Sequence, residues 1–167
     1  YYKGSIEFAP NLRWHDVIPL CDMMKEYYPT LPIYLTNDAN AAAIGEMIYG
    51  GAKGMKNFIM VTLGTGLGSG FVANGELVYG HDGFAGELGH IIVSPNGRQC
   101  GCGRQGCLET YVSATGVKRT AYKMMAKYNY PSELRTIPFN EMTAKIVAEA
   151  AEKGDMIAIN TCLLYTS

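Results

Sequence analysis

The chain has 167 residues, 48% of them hydrophobic and 17% charged, with 14 Lys and Arg against 15 Asp and Glu. Such a balance fits one globular domain or two small parts of a split one, and it gives no sign of the basic face that nucleic acid or a membrane surface would want. The longest apolar runs, such as Phe58–Leu63, fall far below the ~20 residues that cross a bilayer, and the opening Tyr1-Tyr2-Lys3-Gly4 has no signal-peptide pattern.

In chain order, Val17, Leu20, Cys21, Met24, Tyr27 and Tyr28 share one helical face, with Asp16 as a candidate cap and Pro29 and Pro32 as the stop. Ile33–Thr36 reads as a short strand, and Asn37-Asp38 opens an alanine-rich helix that runs to about Tyr49. Gly50, Gly51 and Gly54 then mark the expected boundary between residues 1–52 and 53–167. The strand Asn57–Leu63 is apolar at successive positions, which predicts burial on both faces. Beyond the glycines that follow, Phe71-Val72-Ala73, Asn74-Gly75 and Glu76–Tyr79 spell a hairpin with a two-residue turn. A strand His90–Val93 comes next, and then a helix with Val117, Ala121, Met124, Met125 and Tyr128 on one face. A last helix starts at Thr143, with Ile146, Val147 and Ala150 inward. Strands alternating with helices make the class α/β. Thr161–Ser167 looks like a tail of uncertain origin and is given no function.

Five cysteines are present, and Cys100, Cys102 and Cys107 fall close together after His90 in the pattern His-x9-Cys-x-Cys-x4-Cys. An odd, clustered set beside a histidine points to metal in a reducing compartment rather than to a disulfide frame. Zinc takes four N or S ligands in a tetrahedron, and Gly97, Gly101, Gly103 and Gly106 would let the loop fold around it. With all four positions filled by protein the site would be structural. The competing reading is a set of unrelated free cysteines, which normally prefer apolar surroundings; these lie among Arg98, Gln99, Arg104 and Gln105.

Gly64-Thr65-Gly66-Leu67-Gly68-Ser69-Gly70 could cradle phosphates with backbone N–H groups and the hydroxyls of Thr65 and Ser69. It is not a Walker A loop, since no Gly-Lys-Ser/Thr follows. It is not a dinucleotide fingerprint either, because it leads into a hairpin rather than a helix. A tight structural turn is the competing reading. Asp38, between a strand and the first turn of a helix, is placed either as a catalytic carboxylate or as a plain N-cap. Glu87 and Glu109 lie close to the cysteine loop in sequence and would, taken singly, be solvated surface groups.

The joint pattern is more specific than its parts. Ala9-Pro10-Asn11-Leu12-x-Trp14, Asn37-Asp38-Ala39-Asn40-Ala41-Ala42-Ala43, Leu63 to Gly68, Gly86-Glu87-Leu88-Gly89-His90, Cys100-Gly101-Cys102-Gly103 and Gly106-Cys107-Leu108-Glu109 occur in this order. Together they resemble the ROK family of bacterial sugar kinases and related repressors, and within it the glucokinases most. The resemblance implies an actin-like (ribonuclease H-like) two-domain α/β fold, of which this chain would be the middle. An Asp-x-Gly-Gly-Thr phosphate strand is expected before Tyr1 and an adenosine site after residue 160. It further implies Asp38 as general base toward a hexose hydroxyl. Asn37, Asp38, Glu87, His90 and Glu109 would be sugar ligands, and Gly64, Thr65, Gly66, Gly68 and Gly70 would lie at the phosphates of ATP with Mg²⁺. His90, Cys100, Cys102 and Cys107 would hold Zn²⁺, with His90 serving metal and sugar at once. A cytoplasmic enzyme of glycolysis, homo-oligomeric in its full-length form, is the corresponding expectation. A sugar-responsive repressor is the alternative.

Overall fold

The computed structural model describes residues 4–7, 14 and 16–165. Ala9, Pro10, Asn11 and Leu12 of the first family motif lie outside the described residues. By packing, the chain divides into two compact units, Tyr1–Phe58 with Gly70–Ala85 and Ile59–Ser69 with Gly86–Ser167.

In the first unit, helix α1 spans Leu20–Tyr27 and begins later than its apolar periodicity suggests. Ile6 and Ile18 exchange backbone hydrogen bonds of 2.8 and 3.0 Å, so residue 18 is held extended and the helix cannot start before it. Pro19 therefore occupies the N-cap position without a side-chain bond, and Asp16 does not cap the helix. Of the expected inward face only Cys21 is buried; Val17, Met24, Tyr27 and Tyr28 are exposed. Ile33–Thr36 joins no ladder among the described residues, so the expected strand is not formed there.

Helix α2, Asp38–Ile48, matches its expected span. Asn37 is its N-cap, its side-chain oxygen accepting from the Asn40 N–H at 2.7 Å. Ala39, Asn40 and Ala43 form its buried stripe. This stripe needs Gly70 opposite: a Cβ there would lie 2.7 Å from Ala43 Cβ and 3.0 Å from the Ala39 carbonyl oxygen.

Strands β1 (Phe58–Leu63), β2 (Leu67–Ala73) and β3 (Glu76–Leu77) form a sheet in the order β1-β2-β3. The hairpin is as expected: Val72 pairs with Leu77 and Ala73 with Glu76, and Asn74 and Gly75 turn at φ 55° and 82°. Positive φ at both central residues defines the turn whose twist suits adjacent strands. Burial of β1 on both faces is not realised. Ile59, Val61 and Leu63 are 58%, 40% and 62% exposed, because the described residues cover one face only.

The second unit has a helical core. Helices α3 (Glu109–Val112), α4 (Ala114–Lys127), α5 (Ala144–Glu152) and α6 (Met156–Cys162) are joined by a 3-10 turn at Glu133–Thr136. Ala121, Met124, Met125, Leu134, Met142, Val147, Ala150, Ile157 and Ala158 pack as one buried cluster. Fully burying a side chain such as Leu134 or Ile157 stabilises by about 1.5–3 kcal/mol. Each of the three longer starts is capped: Gly116, Ile146 and Ile157 N–H groups donate to Ser113, Thr143 and Asp155 side chains. Helix α6 goes beyond the sequence reading, and Thr161, assigned there to the tail, is buried in it. No helix among the described residues is long and apolar enough to cross a membrane.

Candidate active site and metal centre

The second unit gathers the glycine loop, the Gly86–His90 motif and the cysteine loop. His90–Val93 is not the expected strand; Leu88–His90 is a 3-10 turn, and beyond it Ile92 makes a single antiparallel bridge to Cys107. Close packing explains the tight turn. A Cβ on Gly89 would lie 2.4 Å from the Leu67 carbonyl oxygen and 3.4 Å from Glu109 Cβ, so only glycine lets this segment lie against both.

The turn carries His90 to the cysteines. Ligand atoms of His90, Cys100, Cys102 and Cys107 all lie within 4.8 Å of one another. His90 Nδ1 is 3.6 Å from Cys100 Sγ, and Cys102 Sγ is 3.7 Å from Cys107 Sγ. A tetrahedral zinc with ordinary bond lengths would separate N from S by about 3.6 Å and S from S by about 3.8 Å. The donor set therefore fits zinc in its chemistry, and these two pairs fit it in spacing. Gly106, at φ 78°, packs on the Ser94 backbone and permits the reversal between Arg98 and Cys107.

The three thiols are held apart in acidity. Burial pushes Cys100 up to about 12. Hydrogen bonds from the Arg104 backbone and side chain draw Cys102 down to about 6. Cys107 is raised, chiefly by burial. Cys102 is thus the thiol readiest to meet a cation as thiolate. Cys21 and Cys162 lie in α1 and α6 as free thiols, outside the cluster.

Glu109, the first residue of α3, touches both loops. Its Oε1 lies 3.1 Å from Cys100 Sγ and 3.8 Å from His90 Nδ1. Its Oε2 accepts the Leu67 N–H at 3.3 Å. Glu87 is exposed, with its carboxylate 4.0 Å from His90 Nε2. The histidine thus turns Nδ1 toward the cysteines and Nε2 toward Glu87. Arg98 braces the cysteine loop from behind, donating to the carbonyls of Thr110 and Gly116 and to the Thr120 hydroxyl while stacking on Tyr111.

In the glycine loop, Gly64 and Thr65 are exposed and Gly66 is partly so. Ser69 differs from expectation: it is buried, its hydroxyl donates to the Gly86 carbonyl and accepts the Leu88 N–H at 3.2 Å, and it has no hydroxyl left to offer phosphate. Gly66 has a packing reason beside any phosphate contact, since a Cβ there would meet Glu109 Oε2 at 2.6 Å. In the first unit, Asp38 is exposed at the first position of α2, and one carboxylate oxygen accepts its neighbour's N–H, that of Ala39, at 2.9 Å. The cap is Asn37, so the plain N-cap reading of Asp38 does not hold.

Residues 2–165 match the model of the ROK family. A glucokinase from Halalkalibacterium halodurans is 44% identical over 161 residues, covering 94% of this chain and 48% of its own length. Among solved structures, a ROK family glucokinase from Streptomyces griseus in complex with glucose and AMPPNP has a TM-score of 0.75 at 37% identity, covering 95% of this chain and 52% of that one. A ROK family transcriptional regulator, a homologue of the E. coli MLC protein, has a TM-score of 0.81 at 30% identity, covering 96% of this chain and 39% of that one. The fold is therefore the α/β, actin-like fold of the ROK sugar kinases, present in part. The chain belongs to the ROK family and is most like its bacterial glucokinases. It spans about half the length of the curated relatives it matches (48% and 50% of the first two).

Proposed function

We propose that the protein carrying this chain transfers the γ-phosphoryl group of ATP to a hexose, with glucose as the first candidate and glucose 6-phosphate as product. Asp38 is the general base that takes the proton from the 6-hydroxyl. Asn37, Glu87, His90 and Glu109 hold the other hydroxyls, and Gly64, Thr65, Gly66, Gly68 and Gly70 face the phosphates. Mg²⁺ bound with those phosphates would supply charge neutralisation, and the protein's own task would be positioning and proton removal. His90, Cys100, Cys102 and Cys107 would hold a structural zinc, with His90 Nδ1 turned to the metal and Nε2 left to serve the sugar. In this reading residues 1–52 close an N-terminal domain and 53–167 open a C-terminal one. The enzyme would be cytoplasmic, a homo-oligomer, and without a nucleic-acid partner.

The observation that carries the reading is Asp38: an exposed carboxylate at a helix start whose capping duty is already met by Asn37. Likeness to a glucokinase solved with glucose and AMPPNP supports it. The repressor reading has its own support in the likeness to the MLC homologue. The unbroken Gly64-Thr65-Gly66-Leu67-Gly68 and an exposed Asp38 that is not the helix cap favour the kinase. The test is ATP-dependent phosphorylation of glucose, mannose, fructose, allose and N-acetylmannosamine by the whole protein. Turnover of none of them, with sugar still bound, would favour the repressor.

A further inference from the structure

The glycine loop is gripped at two points by one short segment far away in sequence. At its start, the Gly64 carbonyl accepts the N–H of Ala114 at 3.0 Å. At its end, the Leu67 N–H donates to Glu109 Oε2 at 3.3 Å. Between these points the loop closes on itself, the Gly64 N–H donating to the Gly66 carbonyl at 3.0 Å. Glu109 begins α3 and Ala114 begins α4, so both grips come from the junction of these helices. That junction is tied by its own hydrogen bonds. Ser113 ends α3 and caps α4, and Arg98 ties the Thr110 and Gly116 carbonyls together from behind. Gly66 packs without a side chain against the carboxylate that makes the second grip.

Exposed glycines have many backbone states open to them, and ordering them costs free energy at the moment of binding unless the fold has done so beforehand. We propose that the α3–α4 junction, through Glu109 and Ala114, is a positioning brace that pre-sets the glycine loop for nucleotide phosphates. Glu109 thereby has a role separable from any contact with sugar. The idea rests on reading Gly64 to Gly68 as the phosphate loop.

The test uses the whole protein without sugar and compares three variants. Glu109→Ala removes one grip. Glu109→Gln keeps an oxygen that can accept the Leu67 N–H. Ala114→Pro deletes the other donor at a position where proline suits a helix, because Ala114 is the first residue of α4 and Ser113 before it has the extended backbone (φ −65°, ψ 164°) that proline requires. Two quantities are read: amide exchange over residues 63–68, and affinity for ADP and a non-hydrolysable ATP analogue. Glu109→Ala and Ala114→Pro are expected to speed exchange there by about tenfold and to weaken nucleotide by about five- to tenfold, with Glu109→Gln close to the parent in both. Unchanged exchange in Glu109→Ala overturns the brace. Faster exchange with unchanged nucleotide affinity overturns its role in positioning. Failure of glutamine to restore the loop assigns the effect to charge beside Cys100 and overturns the grip on Leu67. A parent protein that binds no nucleotide at all sinks the kinase reading instead, and the exchange measurement then decides the grip by itself.

Discussion

Replacing Asp38 with asparagine separates catalysis from folding at this position. The carboxylate is exposed, and its one observed hydrogen bond, from the Ala39 N–H at 2.9 Å, goes to an oxygen that asparagine retains. Capping of α2 stays with Asn37. What folding loses is the favourable placement of a negative charge at a helix N-terminus, about 0.3–1 kcal/mol. What the proposed reaction loses is its base. Asparagine cannot take up the sugar's proton, and loss of a general base lowers turnover by roughly 10²–10⁴, equivalent to about 3–5 kcal/mol of barrier. The assay pairs steady-state ATP consumption with calorimetric sugar affinity and a thermal melt. The expected result is a collapsed kcat, sugar affinity close to the parent and a small fall in Tm. As a contrast, Asn37→Ala removes the cap and costs about 1 kcal/mol of stability. An Asp38→Asn protein that turns over near the parental rate would leave Asp38 as a surface carboxylate and the kinase reading without its base.

The remaining predictions concern the second unit. Gly66→Val drives a side chain into Glu109 Oε2, so nucleotide affinity should fall about tenfold or more and sugar affinity less; unchanged nucleotide affinity in a folded variant would make the loop a plain turn. Metal analysis should find one zinc per chain. Cys102→Ser should lower Tm, since metal binding is part of the folding energy, and chelation under conditions that keep the protein folded should weaken sugar by about fivefold through a loosened His90. For Asp155, burial alone would raise the carboxyl, but hydrogen bonds from Ser132 and from the N–H groups of Ala158, Glu133 and Ile157 outweigh it and hold the group below its ordinary 3.8. A carboxyl depressed on folding stabilises above that value and loses the contribution as pH falls through its folded pKa. The stability gap between parent and Asp155→Asn, about 0.3–1 kcal/mol at neutral pH, should therefore shrink below about pH 4. A gap that is constant down to pH 2 would refute the cap's ionic character.

Elements whose partners are near in sequence were legible. The Asn74-Gly75 hairpin, α2 with its Asn37 start, and the inward faces of α4 and α5 each follow from a local pattern that packing agrees with. The cysteine spacing likewise announced a donor cluster that the fold brings within 4.8 Å. Misreadings arose where a distant backbone decided the outcome. Ile6 pairs with Ile18 and delays α1, a contact that no helical periodicity could announce. Gly89 packs on Leu67 with Leu88–His90 as a 3-10 turn, and the strand expected over His90–Val93 comes down to a single bridge at Ile92. Ser69 looked like a phosphate ligand because its hydroxyl sits among glycines, yet that hydroxyl is spent on Gly86 and Leu88.

The same limit applies to the glycines themselves. In sequence Gly64, Gly66 and Gly70 belong to one run and invite one explanation, close approach of phosphate to backbone. In the fold they divide. Gly70 is small because α2 lies against it, and Gly66 because Glu109 does, whereas a Cβ on Gly64 would meet nothing within 4 Å. Gly64 is therefore the position where neither packing nor a left-handed backbone demands glycine, since its φ is not positive either. The exposed backbone at Gly64 and Thr65 leaves room for a partner approaching from solvent, which in the proposed function is phosphate. Glycine-rich character alone is weak evidence for a phosphate loop, because packing accounts for two of these three residues. Of the three, Gly64 alone is left open by packing, and it lies at the end of the loop whose carbonyl accepts the Ala114 N–H.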